Sequence, residues 1–465
     1  MYADVIVQHY AETQRLRGHL MKNEPAFYRN MEQALDSRRQ QQYLLGLKPR
    51  WDESVVDFTT DDTISLTKSG RMREMFLKEL ADHPDFDVSS CGSRVQYGNY
   101  EYLNQVEQEI ADFHGKETVY ITPSGFGANV AVISGITMPG DAIVYDELVH
   151  ASTHEGIHIS LAEHKVGFRH NDPDALREVL TNLKNTQPAF AKGTKSILIC
   201  VESTYSMDGD VCPLQELLNI SKEVFPLGNA QFLVDEAHSL GNIGPNGKGL
   251  VGMLGLQNEI AVLVFTASKA MASIGGVIVC NKTIRSMLLN FARSVLFSSA
   301  PPFPMVAAIR SGYKLLMTEE TQRAQQRVQD RVAQFFTTMA SHPIWDEANE
   351  TGILSIPLMN DWEDREYLTQ IVAVRTQPGH ERFLFFHLLT NGINAYPMAF
   401  PVVAKGQTRV RLVFHAHNTP EQVDKVANAI CDFAAEMIEI KHGKSENTIP
   451  KATRQLYALQ AAARA

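Results

Sequence analysis

Short runs of apolar residues alternate with helix-like patterns through the middle of this chain. The runs are rich in β-branched residues and nearly continuous in apolarity, as in ETVYITP, DAIVYDE, SILICVES, QFLVDEA and EIAVLVFTA. Because strands covered on both faces carry few polar side chains, this pattern indicates a mostly parallel sheet with helices packed against it. The region from about Val55 to Ser299 is therefore predicted to form a large α/β domain.

The sequence on either side of this region follows other patterns. Roughly the first fifty residues are polar and charged and predict one or two exposed helices. After the PPFPMV break, a charged helical stretch is expected from about Ala307 to Ser341, followed by QIVAVRT, INAYPMAF and TRVRLVF and a helix from about Thr419 to Ile440. We predict an N-terminal helical segment at 1–55, a large domain at 56–305 and a smaller C-terminal α+β domain at 306–465.

Composition narrows the classes of partner. The chain has 465 residues and a net charge of -10 with no long basic block, which argues against nucleic acid and anionic membrane surfaces. Its five cysteines show no CxxC spacing, so neither a zinc site nor a disulfide framework is expected, and no other metal site is predicted. With no apolar stretch long enough to cross a bilayer and no secretory signal, the prediction is a cytoplasmic protein without a membrane span.

One lysine stands in unusual surroundings. In FTASKAMASIGG, Lys269 follows an apolar run and lies among small residues. A lysine held in a low-dielectric site loses part of its preference for the charged form, and the free amine can form a Schiff base with a carbonyl compound. An exposed lysine after a strand is the more common case, so the interpretation depends on other parts of the chain.

Two upstream motifs supply that support. In VDEAHSLGNIG, Asp235 directly follows the apolar run QFLV, with His238 three residues later, and no GxxxxGK[ST] loop supports a helicase-type nucleotide site. In TPSGFGANVAV, a glycine-containing turn leads into a helix whose first N–H groups can bind a phosphate. An imine-forming lysine, a buried acid and a phosphate site together match pyridoxal 5'-phosphate.

These motifs also stand in an order that resembles the α-oxoamine synthase family of fold type I pyridoxal phosphate enzymes. The resemblance covers roughly residues 56–437. It is carried by GSRVQYGN, LNQVEQEIADFHGKETVYITPSGFGAN, GDAIVYDELVHASTHEG, ESTYSMDGDVCPL, VDEAHSLGNIGPNGKG, TASKA, FSSAPP and RVRLVFHAHNTPEQ. The fold it implies is a large domain with a mostly parallel sheet, joined to a smaller C-terminal α+β domain.

The resemblance implies a role for each motif residue. Lys269 would carry the cofactor as a Schiff base and move protons at the substrate Cα, Asp235 would pair with the pyridinium nitrogen, and His238 would hydrogen-bond the ring hydroxyl. His150 would stack on the ring, with Ser206 beside it. Gly125, Phe126 and Thr266 would contact the cofactor phosphate. Ser298 and Ser299 would contact the phosphate bound by the neighbouring subunit of a homodimer. Arg411, near Asp61, would bind the amino-acid carboxylate. Arg409, on the same alternating strand, is the alternative to Arg411.

Four positions depart from the family pattern and lie around the substrate. Asp61 stands in place of an asparagine that helps to hold the substrate carboxylate, and Thr63 in place of a tyrosine. Leu103 and Asn418 each stand where the family has a histidine. The cofactor site is therefore expected to be complete, whereas the usual amino-acid substrates cannot be assumed.

The implied reaction is a decarboxylative condensation of an amino acid with an acyl thioester to an α-amino ketone. The acyl group would arrive on coenzyme A or on an acyl carrier protein. Another pyridoxal phosphate reaction, such as that of a transaminase, decarboxylase or aldolase, is the alternative. A non-catalytic partner subunit would be expected to lack Lys269.

Overall fold

The computed structural model describes residues 2–41, 44–47 and 54–464. Its strands are β1 (Val56–Asp57), β2 (Thr118–Thr122), β3 (Ala142–Asp146), β4 (His164–Phe168), β5 (Ile197–Glu202), β6 (Ala230–Asp235), β7 (Val262–Thr266), β8 (Gly276–Cys280), β9 (Leu354–Ser355), β10 (Ile371–Thr376), β11 (Ile393–Asn394), β12 (Tyr396–Met398) and β13 (Arg409–Val413).

The α-helices of the same residues precede, connect and follow these strands. They are α1 (Tyr2–Thr13), α2 (Ala26–Gln40), α3 (Arg71–Ala81), α4 (Glu101–His114), α5 (Gly125–Ile136), α6 (Ala151–Ile159), α7 (Pro173–Thr186), α8 (Pro188–Ala191), α9 (Leu214–Val224), α10 (Leu250–Met253), α11 (Lys282–Phe291), α12 (Arg293–Leu296), α13 (Phe303–Leu316), α14 (Glu319–Ser341), α15 (Trp345–Glu350), α16 (Glu381–Thr390), α17 (Pro420–Lys441) and α18 (Lys451–Arg464).

The large sheet has seven strands in the order β2-β8-β7-β6-β5-β3-β4. All neighbours run parallel except β8, which is antiparallel to β2 and β7. Successive residues of β5 enter different apolar cores: Ile197, Ile199 and Val201 pack on one face, Leu198 and Cys200 on the other. This is the two-sided burial that the unbroken apolar runs predicted, and the α/β class is confirmed.

A second, four-stranded sheet has the order β12-β13-β10-β9 and is antiparallel throughout. It has its own core, to which α14, α16 and α17 contribute. Near the other end of the chain, β1 pairs in parallel with β11, and Phe58 packs into this smaller core against Phe414. The segment just before the large sheet is therefore held by residues from the C-terminal part.

The strands predicted from the five apolar runs are confirmed, as are those in QIVAVRT and TRVRLVF. The helical stretch predicted from about Ala307 to Ser341 is confirmed, but it consists of two helices, because α13 ends at Leu316 and Thr318 begins α14 as its N-cap residue with extended backbone angles. Strands β4 and β8 did not stand out in the sequence. The predicted domain boundaries stay predictions.

Two properties of the described residues bear on possible partners. No helix there combines the length and the apolar character needed to cross a membrane. Within the same residues, His, Cys, Asp and Glu side chains nowhere form a group of three or more that could hold a metal ion.

Candidate active site

The carboxyl ends of three adjacent parallel strands form the floor of the site. Glu202, Asp235 and Thr266 are the last residues of β5, β6 and β7, and Glu202 lies in register with Asp235. Each strand is otherwise almost entirely buried and apolar. Polar groups at this edge of an open α/β sheet line the crevice in which such folds bind ligands.

Asp235 is buried and held by two donors. Asn129 Nδ2 donates to Asp235 Oδ2 at 2.6 Å, and the backbone N–H of Ala237 donates to Oδ1 at 2.9 Å. Asn129 lies on α5, whose neighbour Ser152 on α6 also receives a hydrogen bond from the same amide at 3.0 Å. The carboxylate is thus fixed in orientation before any ligand arrives.

Lys269 lies in the turn after β7 and reaches back to this floor. Its Nζ is 2.7 Å from His238 Nε2. Burial lowers the pKa of the Lys269 amine, although the charges of Asp61, Asp235 and Glu202 oppose the shift. The amine is therefore easier to deprotonate than an ordinary lysine, as Schiff-base formation requires.

His238 is the direct partner of this amine. Burial, together with the neighbouring charges of Lys269 and Arg411, lowers the pKa of His238 well below its usual value, so the ring is neutral at pH 7. Its backbone carbonyl accepts from Gln370 Nε2 at 2.7 Å, next to β10 of the smaller sheet. The neutral ring can exchange hydrogen bonds with Lys269 without adding a second cation.

The start of α5 lies beside Thr266 and presents backbone N–H groups there. Ser124 Oγ accepts from the N–H of Gly127 at 3.0 Å, while the N–H groups of Gly125 and Phe126 lie in the first helical turn, where no acceptor exists within the helix. A Cβ at Gly125 would lie 2.8 Å from Thr266 Cβ. Glycine therefore allows the helix start to approach the Thr266 hydroxyl closely, as a phosphate site requires.

His150 begins α6 as its N-cap residue. Its Nδ1 accepts from the N–H of Ser152 at 3.2 Å, and its ring lies edge-on to the Phe126 ring with centroids 6.2 Å apart. Burial lowers the pKa of His150, opposed by the charge of Asp235. The imidazole is neutral at pH 7 and faces the helix start that carries Phe126.

Glu202 was not among the site residues predicted from the sequence. The N–H of His150 donates to its carboxyl group. Burial and the adjacent Asp235 charge raise the pKa of Glu202 well above its usual value, so this acid is harder to ionise than an ordinary glutamate. The signal was present in the sequence: Glu202 ends an apolar run in SILICVES, just as Asp235 ends QFLVD.

The smaller sheet supplies Arg411 from β13. Its Nη1 donates to the Ser206 carbonyl at 3.1 Å, and its Nη2 lies 3.8 Å from Asp61 Oδ1, a buried oxygen without a hydrogen bond. Burial lowers the pKa of Arg411. Arg409, the alternative, is instead bound to Asp208. The structure thus brings Arg411, Asp61 and Ser206 together and directs Arg409 elsewhere.

Ser298 and Ser299 lie apart from this group. Both are exposed after α12, and the Ser298 hydroxyl donates to the Ser294 carbonyl within its own segment. Among the described residues, no hydrogen bond joins either serine to another predicted site residue. Their predicted contact with the cofactor requires a second subunit.

Three of the four residues that depart from the family pattern make structural contacts, either hydrogen bonds or core packing. Thr63 Oγ1 donates to Asn242 Oδ1 at 2.6 Å, and Asn418 Nδ2 donates to the Asp57 carbonyl at 3.3 Å. Leu103 is fully buried in the large core. Of the four, only Asp61 has a buried oxygen without a hydrogen-bond partner, and this oxygen lies beside Arg411.

The donor set fits pyridoxal phosphate. A half-buried lysine of lowered pKa suits the aldehyde, a fixed carboxylate suits the pyridinium nitrogen, and N–H groups at a helix start beside a threonine hydroxyl suit the phosphate. The fold and the site therefore define a pyridoxal-phosphate-dependent enzyme of fold type I.

Comparisons with known proteins agree. The family model described as aminotransferase class I and II matches residues 65–430. "Aminoacyl transferase sphA" of Aspergillus fumigatus is 49% identical over 97% of this chain and 97% of its own length, and the 8-amino-7-oxononanoate synthase of Emericella nidulans is 37% identical over 83% and 90%. A solved structure of SPT with a PLP internal aldimine is 25% identical with a TM-score of 0.69, covering 82% of this chain and 87% of that one.

The chain belongs to the aminotransferase class I and II family and, within it, to the α-oxoamine synthases. It is a pyridoxal-phosphate-dependent acyltransferase of the kind that condenses an acyl group to give an α-amino ketone.

Proposed function

We propose that this enzyme joins the Cα of an amino acid to the acyl carbon of a thioester and releases the amino acid's carboxyl carbon as carbon dioxide. The observation that carries the proposal is the contact of the half-buried Lys269 with neutral His238, close to Asp235 at the end of β6. The acyl group would arrive on coenzyme A or a carrier protein.

Free cysteines, four of them buried, support a reducing compartment such as the cytoplasm.

Each residue has a separate task in this scheme. Pyridoxal phosphate, when bound, supplies an electron sink for negative charge at the amino-acid Cα. Lys269 binds the cofactor and, once released, removes and returns the proton at Cα, while His238 hydrogen-bonds the ring hydroxyl and keeps the lysine amine in place. Asp235 holds the proton on the pyridine nitrogen. His150, together with Ser206 on the loop after β5, limits the ring's movement.

Arg411 would orient the amino-acid carboxylate. A guanidinium can bind a carboxylate through two parallel N–H groups, and this one is already positioned by the Ser206 carbonyl. The bond that breaks at Cα must stand perpendicular to the ring plane, and a fixed carboxylate sets that angle.

The two arginines of β13 can be told apart by matched substitutions. We expect Arg411→Lys to weaken amino-acid binding by about 10- to 100-fold, because a charge-assisted hydrogen bond contributes about 1.5–3 kcal/mol. Arg409→Lys should leave that dissociation constant within about threefold of wild type, since a lysine can still pair with Asp208. The measurement is an amino-acid titration followed by the cofactor's absorption. The reverse ranking would assign the carboxylate to Arg409.

Asp61 competes with the substrate for Arg411. We expect Asp61→Asn to strengthen the binding of simple amino acids such as glycine, alanine and serine by about two- to fivefold, the effect of removing a partly exposed ion pair. The same titration measures it, with Asp57→Asn as the control for the loop. A loss of affinity would mean instead that the Asp61 carboxylate itself binds a donor group on the substrate.

Ser298 and Ser299 are proposed to reach the phosphate bound by a second subunit. Exposed apolar side chains lie on the same segment and on the one next to it: Phe297 is 75% exposed and Tyr97 is 82% exposed. The two segments are joined by a hydrogen bond from the Ala300 N–H to the Gly92 carbonyl at 2.8 Å. Such a patch is typical of a surface that is covered in an oligomer.

A hybrid dimer tests this sharing. Lys269→Ala chains and Ser298→Glu/Ser299→Glu chains should each be inactive, whereas co-expressed chains should recover roughly a quarter of wild-type activity. Half of the dimers are then hybrids, and each hybrid has one site with both parts intact. Activity that only equals the sum of the two separate variants, or a fully active monomer by mass measurement in solution, would refute the shared site.

The type of reaction can be determined with an amino acid labelled at its carboxyl carbon and a panel of acyl thioesters. The proposal expects labelled carbon dioxide only when the right thioester is present. Release without any thioester would indicate a decarboxylase, and transfer of the amino group to a keto acid would indicate a transaminase.

A further inference from the structure

A short loop at residues 205–210 connects the two sheets. It follows β5 and is closed by a bridge between Thr204 and Val211, with the Tyr205 N–H donating to the Asp210 carbonyl at 3.0 Å and the Gly209 N–H to the Tyr205 carbonyl at 2.9 Å. This 205–210 loop carries Ser206, whose carbonyl accepts from Arg411. Its position therefore bears on the arginine proposed to bind substrate.

On one side the loop is fastened to the smaller sheet. The Asp208 carboxylate accepts from Arg375 Nη2 at 2.9 Å and from Arg409 Nη1. Gly209 has a φ of 77°, and a Cβ there would lie 2.0 Å from the Ile371 carbonyl oxygen, so only glycine permits this contact. The 205–210 loop therefore packs closely against β10 and is bound by ion pairs to β10 and β13.

On the other side the loop is fastened to the large sheet through His170, which follows β4. His170 Nδ1 is 2.9 Å from Asp146 Oδ1 at the end of β3, and Nε2 contacts Asp210 Oδ2. The ring also lies edge-on to Tyr205, with centroids 4.4 Å apart. Burial would lower the pKa of His170, but the hydrogen bonds to Asp146 and Asp210 outweigh it and raise the pKa to about 10. The imidazolium therefore bridges two carboxylates at neutral pH.

We propose that His170 is a positioning residue: by joining Asp146 to Asp210 it fixes the 205–210 loop, and through the Ser206 carbonyl it sets the direction of the Arg411 guanidinium. This inference rests on the proposed role of Arg411 in binding the amino-acid carboxylate. The neighbouring Asn171 makes a parallel but uncharged link, because its N–H donates to Asp146 Oδ2 at 2.8 Å and its Nδ2 donates to Asp210 Oδ2 at 2.7 Å. His170 differs from it in placing a positive charge between the two carboxylates.

The variant His170→Gln tests the inference, because a neutral amide can donate to one carboxylate but leaves the two acids facing each other. We expect the amino-acid dissociation constant to rise about tenfold, with the cofactor dissociation constant within about twofold of wild type. The matched control is His164→Gln on β4, whose ring packs edge-on against Phe190 and should change neither constant. Asp210→Ala, which removes the acceptor that His170 and Asn171 share on the loop, should give the same split if His170→Gln folds poorly.

A double-mutant cycle with Arg411→Lys separates positioning from general stability. If His170 acts through Arg411, adding His170→Gln to Arg411→Lys should weaken amino-acid binding by less than about twofold further, whereas independent effects multiply. Multiplied effects, or equal losses of cofactor and amino-acid binding, would overturn the inference. If Arg411→Lys alone leaves amino-acid binding unchanged, the proposed role of Arg411 fails as well, and the two failures are thereby distinguished.

Discussion

Lys269→Ala should abolish turnover while leaving a folded protein. In the proposed function this amine both binds the cofactor and moves the proton at Cα, and loss of proton transfer alone costs about 10²–10⁴-fold in rate. Cofactor should still bind, more weakly, through the start of α5, Thr266 and Asp235. Equilibrium dialysis and steady-state assays measure the two effects separately.

The attachment point can be mapped directly. After borohydride reduction of the wild-type enzyme, peptide mass mapping should find a pyridoxyl adduct on Lys269. Lys116 is a stringent control, because burial also lowers its pKa, yet its Nζ donates to the Ile260 carbonyl at 2.8 Å, outside the site. An adduct on Lys116, or on any lysine other than Lys269, would contradict the assignment.

Asp235→Asn should fold normally and lose about 10²–10³-fold in kcat. The substituted amide has one oxygen, which can still accept from the Ala237 N–H, while the Asn129 side-chain amide can turn so that its unpartnered oxygen accepts from the new NH2 group. The amide cannot hold a positive charge on the pyridine nitrogen, and removal of one preorganised electrostatic partner has an effect of this size. The change should appear in kcat more than in KM, because the charge matters most as electrons move into the ring.

Asp141→Asn provides the matched comparison. Asp141 is also buried in the large domain, but it precedes β3 at the opposite edge of the sheet, where it accepts from the N–H groups of Met138 and Ser196. That variant should lose stability without a specific loss of kcat. Turnover of Asp235→Asn within about tenfold of wild type would show that another group protonates the cofactor.

The sequence was informative where one short segment contains the whole signal. Lys269 and Asp235 each follow an unbroken apolar strand, so their place at the sheet edge could be predicted from local pattern alone. The helix start at Gly125 was predictable for the same reason and is confirmed. The roles of these residues stay predictions until the variants are measured.

Contacts between distant segments could not be predicted in this way. Asn129 binds Asp235 from 106 positions away, and His415 binds the Thr60 carbonyl from 355 positions away. The choice between Arg409 and Arg411 also depended on such a contact, since the alternation of a strand does not tell which arginine meets Asp208. Tertiary hydrogen bonds of this kind leave no periodic pattern in the chain.

The pairing of β1 with β11 has a consequence for the order in which the protein acquires structure during synthesis. Asn394 Nδ2 donates to Asp57, which lies 337 positions earlier in the chain. The segment that carries Asp61 therefore cannot take its final place until most of the chain has been synthesised. The seven strands of the large sheet are complete by Cys280, well before β11 and β13 are made. In a nascent chain, the edge of the large sheet that carries Asp235 should therefore form first. Asp61 and Arg411 should come into place together and later, when the smaller sheet forms.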